Sequence, residues 1–343
     1  MLEGLQSGRA VAAIMVAIFH ANLFLLPKNF YAGEGAWPGF NFGYAGVEFF
    51  FVLSGFIMVL VHAKDFGRPA QAPVFLRKRI VRIYPIYWIV LAALIAIYFA
   101  APGRGPEHAR DPLAILASFL LFPTTEGPIM QVAWTLQHEM LFYIIFTSLL
   151  FHLRAGMVIF GIWMVACFAA IPTYDDLPYP LSFLLKPHNI LFLFGIISAL
   201  IYRKLSRDQA VAALVLGVGG FLGLGLWETL GGLAVSHNVL PLGYGLFSAL
   251  AVIGLAQGGL AMPRWLTFLG DASYSIYLVH LPVMNIAAVF LKRAGVHEIL
   301  PPLAMLALIT VVISIAGSLV HVYVEKPVMA ALRRRPETHP ASR

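Results

Sequence analysis

The chain has 343 residues, of which 60% are hydrophobic and 11% are charged, and its formal net charge is +7. Soluble domains are about 25% charged and about 45–50% apolar, so this composition excludes a soluble enzyme and indicates an integral membrane protein. The one cysteine, Cys167, excludes a disulfide bond within these residues and is expected to be a small buried hydrophobe.

About ten apolar runs are long enough to cross a bilayer as helices. They are expected near residues 8–26, 44–62, 82–101, 134–153, 156–172, 188–203, 210–230, 240–261, 274–292 and 303–324. The apolar run 113–122 is too short to cross and is expected to be interfacial or re-entrant. The sequence therefore predicts an all-α, polytopic transmembrane helix bundle over 1–327 and a basic cytoplasmic tail, 328–343, that is disordered.

The distribution of basic residues predicts the orientation. An even number of spans puts both termini on one side, and most of the 23 lysines and arginines lie in segments on that side. By the positive-inside rule both termini are predicted to be cytoplasmic. The net charge is therefore assigned to topology and to contact with anionic membrane lipids, and no nucleic-acid partner is expected.

The first span carries two ionisable residues on one face. Arg9 and His20 are eleven positions apart, which returns to almost the same side of a helix and separates them by roughly 16 Å along its axis. Ionisable groups inside a membrane are costly and suggest function. The alternative is a histidine that only bonds to a neighbouring helix.

The third span begins with a pair of arginines. Arg79 and Arg82 are three positions apart and so share one helical face at the cytoplasmic end. Guanidinium groups present planar, bidentate donors that suit phosphates. The alternative is a basic cluster that serves only to orient the protein.

Three other spans carry polar groups. Glu48 enters the second span from the outside, and Glu139 in the fourth is expected at the depth of His20, where the two would form a base and its orienting partner or a simple contact between helices. Ser273, Tyr277 and His280 form a polar stripe on the ninth span that is expected to face inward, where it would bind a ligand or only join neighbouring helices.

Two further residues are expected to be structural, and several familiar sequence motifs are absent. Gly55 is expected to let another helix approach closely. Glu325 is expected to belong to a helix end without a catalytic role. The sequence has no Walker loop, dinucleotide fingerprint, nucleophile elbow or Cys/His metal spacing, so no metal is expected.

Taken together, the motifs resemble the integral-membrane acyltransferases of type 3, which O-acetylate bacterial surface polysaccharides and lipopolysaccharides. The resemblance is closest to the stand-alone exopolysaccharide branch, and the family often has Asp where this chain has Glu48. The resemblance extends from Leu5 to about Pro327. The matching pieces are Arg9 with His20, Gly46–Phe50 with Leu53–Phe56, Arg79 and Arg82 with Ile83–Pro85, Trp134–Leu136 with Glu139, Ser273–His280, and Glu325–Pro327.

The resemblance implies a multi-pass enzyme of the bacterial inner (plasma) membrane that uses acyl-coenzyme A, most simply acetyl-coenzyme A, as donor and a glycan hydroxyl as acceptor. Arg79 and Arg82, with Arg9, would bind the donor's phosphates. His20 would be the general base or a transient acyl carrier, and Glu139 would orient it or bind the acceptor. The residues assigned to acceptor binding are Glu48, Trp134, Tyr277 and His280.

Two other classes stay open at this stage. One is a carrier or flippase for a glycan or acyl substrate, with His20 and Glu139 as a proton relay. The other is a non-catalytic scaffold, which fits poorly with so many buried ionisable groups. The acceptor sugar, the hydroxyl acylated, the length of the acyl group and the oligomeric state are not defined by the sequence.

Overall fold

Ten long helices make up the bundle in the computed structural model, which describes residues 3–101, 103, 105–257 and 259–333. They are α1 (Glu3–His20), α2 (Gly46–His62), α3 (Gln71–Ala100), α4 (Trp134–Phe151), α5 (Leu153–Ala170), α6 (Ile190–Ile201), α7 (Arg207–Leu230), α8 (Leu240–Gln257), α9 (Ser273–Arg293) and α10 (Pro302–Val320). No strand occurs among the described residues. The predicted all-α transmembrane bundle is confirmed.

Shorter helical segments connect the long helices. The α-helical ones are Leu26–Asn29, Pro112–Phe119, Leu181–Leu184, Arg264–Asp271, Val296–Ile299 and Lys326–Arg333. Turns of 3₁₀-helix cover Pro38–Ala45, Ala63–Asp65, Glu107–Arg110, Gln131–Ala133, Ile171–Asp176, Pro187–Asn189 and Tyr202–Lys204. Two segments, Ala21–Leu25 and His321–Glu325, are π-helical.

Within the described ranges, nine helices are long and apolar enough to cross a membrane. The helix of the predicted set that does not qualify is α4, although it forms at the expected position. Its first turns carry Gln137, His138 and Glu139, which lower its mean hydropathy. The cytoplasmic location of both termini stays a prediction.

The last helix continues beyond the predicted domain boundary. Residues 328–333, expected to begin the disordered tail, belong to the helix Lys326–Arg333. The rest of that tail, 334–343, lies outside the described residues.

Helices α2 and α6 approach each other through two glycines. A Cβ atom on Gly55 would lie 2.2 Å from the carbonyl oxygen of Phe192, and one on Gly195 would lie 1.9 Å from that of Val52. Both distances are far inside van der Waals contact, so only glycine permits this packing. The structural role predicted for Gly55 is confirmed.

The predicted interfacial segment is the short helix Pro112–Phe119. Leu113 is 75% exposed on its surface. Three aromatic side chains of α3 hold it by hydrogen bonds to backbone oxygens: Tyr84 donates to Leu120, Tyr87 to Ser118 and Trp88 to Phe119.

The two π-helical segments follow directly on α1 and α10. Ala21–Leu25 begins immediately after His20, and His321–Glu325 ends at a buried glutamate. Such segments are rare and often occur at functional sites.

Candidate active site

A cavity of about 180 Å³ lies where α1, α2, α4 and α9 meet the segment before α6. It brings together four of the predicted site residues, His20, Glu48, Trp134 and Tyr277. Its other lining residues are Val16, Phe19, Tyr44, Val47, Gln131, Val132 and His188. A wider, shallow groove beside Arg207 contains none of the predicted site residues.

The hydrogen bonds of His20 define its tautomer. Its Nδ1 lies 2.8 Å from the backbone oxygen of Val16 and 3.3 Å from Nε2 of His280. A carbonyl oxygen only accepts, so Nδ1 carries the proton in the neutral ring. The Nε2 of His20 therefore presents a free lone pair, as a general base requires.

His280 lies behind His20 and is not part of the cavity lining. Its Nδ1 donates to the backbone oxygen of Tyr277 at 2.6 Å, which leaves its Nε2 as an acceptor for the proton on His20. The ring is only 1% exposed. His280 contacts His20 and does not line the cavity, and its assignment to acceptor binding stays a prediction.

Tyr277 and Trp134 line the cavity, and each is held in place. The hydroxyl of Tyr277 contacts Oγ1 of Thr135 at 3.0 Å and the backbone oxygen of Val132 at 3.1 Å. The ammonium of Lys186 lies 4.1 Å from the centre of the Trp134 ring. This cation–π contact fixes one face of the indole and leaves a basic group beside the cavity.

Glu48 is buried in the cavity wall without hydrogen-bond partners. The residue is 1% exposed, and neither carboxylate oxygen has a donor among the described residues. The nearest basic group is Nε2 of His188, 3.6 Å from Oε1. Sequence reasoning missed His188, for which the one available signal was its place in a polar, proline-containing break before a span.

Glu139 lies elsewhere than predicted. Its Oε1 accepts hydrogen bonds from Ser54, at 3.0 Å, and from Tyr143. Ser54 is six residues beyond Glu48 on α2, about 9 Å further along the helix. The expected pairing of Glu139 with His20 is therefore not observed, and His20 contacts His280 instead. Glu139 is five residues beyond Trp134, the residue of α4 that lines the cavity, so it lies more than one turn further along the helix.

A second polar cluster surrounds the end of α1 that carries Arg9. The Nη1 of Arg82 donates to Oε1 of Glu325 at 2.6 Å, and Oε2 accepts from Ser275 at 2.7 Å and bonds to Nδ1 of His321 at 2.8 Å. Glu325 is 2% exposed. The expectation that it only ends a helix is incomplete, because it is the buried counter-ion of a predicted site arginine.

The other two predicted arginines have no carboxylate within ion-pair distance among the described residues. Arg79 lies between the rings of Phe75 and Tyr143, 5.6 and 5.8 Å from their centres, and its Nε is buried without a partner. Arg9 donates from Nε to the hydroxyl of Ser273 at 3.2 Å. Both guanidinium groups therefore keep donors for an anionic ligand.

Over the parts of the chain that the structure describes, no three His, Cys, Asp or Glu side chains are grouped closely enough to hold a metal ion. His138, which precedes Glu139, is buried against Phe183 and bonds through Nδ1 to Asn189 at 3.0 Å. It is a packing residue of α4.

The Arg82–Glu325 pair predicts a non-additive pair of substitutions. Arg82→Ala and Glu325→Ala should each destabilise the folded protein by about 2 kcal/mol, since each leaves a charge without its partner, while the double variant should lose less than the sum. The measurement is thermal unfolding in detergent micelles.

The control is the exposed pair His237 and Asp175, 3.1 Å apart, for which coupling below about 1 kcal/mol is expected. Additive effects at Arg82 and Glu325 would contradict a structural ion pair.

Comparisons with known proteins indicate the chemistry. The family described as an acyltransferase domain matches residues 2–322. The exopolysaccharide production protein ExoZ of Rhizobium meliloti (strain 1021) is 30% identical over 277 residues, which cover 76% of this chain and 82% of the relative. Acyltransferase MdmB of Streptomyces mycarofaciens is 28% identical over 337 residues, which cover 86% and 83%. No solved structure gives a significant match.

Proposed function

Because the chain belongs to the integral-membrane acyltransferases of type 3, we propose that it moves an acyl group, most simply acetyl, from acyl-coenzyme A to a sugar hydroxyl. The proposed acceptor is an exported polysaccharide or a lipid-linked glycan such as lipopolysaccharide, at the inner membrane of a bacterium. The name of one relative, an exopolysaccharide production protein, supports this class of acceptor. The observation that carries the proposal is the free Nε2 lone pair of His20 in a cavity lined by polar groups.

In the proposed reaction His20 moves one proton. A sugar hydroxyl in the cavity gives its proton to Nε2, and the oxygen attacks the thioester carbon. The carbon–sulfur bond then breaks, and the imidazolium returns the proton to the departing thiolate. The other ring proton stays on Nδ1 of His20, which donates it to the backbone oxygen of Val16 and to Nε2 of His280, and these acceptors stabilise the positive charge as it forms. Direct acylation of His20, followed by transfer to the sugar, is the alternative order.

The arginine cluster is proposed to bind the phosphates of the donor. Arg79 and Arg9 keep free donors, and Arg82 would exchange part of its contact with Glu325 for a phosphate. From Arg9 to His20 the distance along α1 is roughly 16 Å, which the extended pantetheine arm of the donor would bridge. Glu139 lies between these levels, bonded to Tyr143, the residue on which Arg79 stacks. We propose that it positions that arginine and does not act on His20.

The arginine hypothesis predicts a specific loss of donor affinity. Arg79→Ala should raise the KM for acetyl-coenzyme A by about tenfold, the cost of one charge-assisted contact, with a smaller effect on kcat. The measurement is thiol release by protein in lipid nanodiscs.

Acetyl-pantetheine, which lacks every phosphate, gives the decisive comparison. The KM for this donor should be the same for Arg79→Ala and for the unmodified protein. The control is Arg154→Ala, at an exposed position on α5. Equal losses with both donors would rule out a phosphate contact.

The carrier alternative is tested in the same preparation. Uptake of a glycan or acyl substrate into sealed vesicles without thioester cleavage would favour it over acyl transfer. Release of coenzyme A that depends on both acceptor and His20 would exclude it.

A further inference from the structure

The carboxyl group of Glu48 is the most unusual polar group of the cavity. A buried carboxylate without hydrogen bonds costs several kcal/mol, so such groups are normally paired. Here both oxygens lack donors among the described residues, although the side chain is 99% removed from solvent by its neighbours and lines the cavity. The imidazole of His188 also lacks a hydrogen bond, because its Nδ1 is buried without a partner among the described residues. The pair is therefore arranged for partners that a ligand supplies.

The position of Glu48 relative to His20 is rigidly held. A Cβ on Gly43 would lie 2.4 Å from the carbonyl oxygen of Met15, and one on Gly46 would lie 2.4 Å from that of Ala12. The chain entering α2 thus lies directly on the backbone of α1, the helix that carries His20. Sites built on such close helix contacts hold their side chains more precisely than sites on loops.

The cavity also limits how far apart the ligand groups can be. Its volume of about 180 Å³ corresponds to only a few water molecules at about 30 Å³ each. Tyr44 closes it beside Glu48 and is itself fixed by a hydrogen bond to Glu228 at 2.8 Å. His20 and Glu48 line the same small cavity, so a ligand that reaches both from within it has to present two polar groups close together.

We propose that Glu48, supported by His188, binds the hydroxyl on the carbon next to the one being acylated, so that the acceptor is a vicinal diol of the sugar. This rests on the proposed function and defines its substrate class. One hydroxyl of the diol meets the Nε2 of His20, and its neighbour donates to the carboxylate of Glu48. Acylation of the first hydroxyl removes the diol, so the product no longer matches the site and each diol is acylated once.

The experiment uses the full chain in nanodiscs with acetyl-coenzyme A and, as acceptor, the exported polysaccharide of a strain lacking this chain. The acceptor is supplied untreated or after periodate oxidation, which cleaves vicinal diols. The unmodified protein should acylate the untreated polymer and should lose at least tenfold in rate on the oxidised one. When the acylated polymer is then oxidised, acyl groups should be found on residues that were cleavable before transfer.

Substitutions at Glu48 test the residue itself. Glu48→Leu should lower the rate of transfer by about 10- to 100-fold, the cost of one or two hydrogen bonds to a charged group. Glu48→Asp should retain part of the rate, and thermal stabilisation by acetyl-coenzyme A should be unchanged in both. Burying leucine in place of an unpaired carboxylate should not impair folding. Glu34→Leu, at an exposed loop position, is the matched control.

The outcomes are distinguishable. Transfer by Glu48→Leu within twofold of the unmodified protein, or undiminished transfer to the oxidised polymer, would overturn the diol proposal while leaving acyl transfer intact. Absence of any transfer by the unmodified protein, with the thioester uncleaved, would overturn the proposed function and the diol proposal with it.

Discussion

His20→Ala is expected to lower the rate of acyl transfer by about 10²–10⁴-fold, the range that a general base contributes. The expected loss follows from the free Nε2 of His20 in the cavity, since its Nδ1 is committed to Val16 and His280. The other histidine that lines the cavity, His188, directs its Nε2 toward Glu48. Donor binding should be unaffected, because the arginine cluster lies at the other end of α1.

The measurement is acylation of the polysaccharide by protein in nanodiscs, with donor binding followed by thermal shift. His237→Ala, an exposed histidine beside Asp175, should keep full activity. A donor-dependent mass increase on the peptide containing His20, in the absence of acceptor, would show an acyl-histidine, whereas a general base leaves none. Full activity of His20→Ala would refute both roles.

Gly195→Ala is expected to destabilise the folded bundle by about 3 kcal/mol, at or above the usual cost of overpacking. The added methyl group would lie 1.9 Å from the backbone oxygen of Val52, which cannot move away as a flexible side chain can. Helices α2 and α6 would have to separate, and α2 carries Glu48. Both thermal stability and acceptor transfer should therefore fall.

The matched control is Gly219→Ala on α7, where nothing lies within 4 Å of the added methyl group. It should leave stability unchanged or raise it by up to about 1 kcal/mol, because alanine favours helix more than glycine does. Thermal unfolding in detergent micelles compares the two. Equal stabilities would mean that the close contact of α2 with α6 is not required.

The fold was predictable because its signals are local. The length of an apolar run predicts a membrane helix without knowledge of which helices pack against it. Even α4, with its polar first turns, begins where the pattern predicted it. Gly55 was predictable for a similar reason, since a small residue inside an apolar helix has few other uses. The polar stripe on α9 correctly indicated that Tyr277 and His280 face inward.

The site was less predictable because its contacts join distant parts of the chain. His280 is 260 residues from His20, and Glu325 is 243 from Arg82. Spacing within one helix defines a face but not the partner helix that meets it, so Glu139 was paired with His20 on depth alone. In the structure the residue that contacts His20 is His280, on α9.

The π-helical segments have a consequence for how this chain tolerates insertions and deletions. A π turn holds one more residue than an α turn, and one residue corresponds to about 100° of rotation. Losing one residue from Ala21–Leu25 would turn the π turn into an α turn, so the chain beyond it, including Tyr31, which bonds to the backbone oxygen of Leu300, would keep its rotation. The same loss from a regular stretch of α1 would rotate that chain by about 100°. The two π-helical segments are therefore the places on α1 and α10 where a one-codon deletion leaves the two ends of the helix in register.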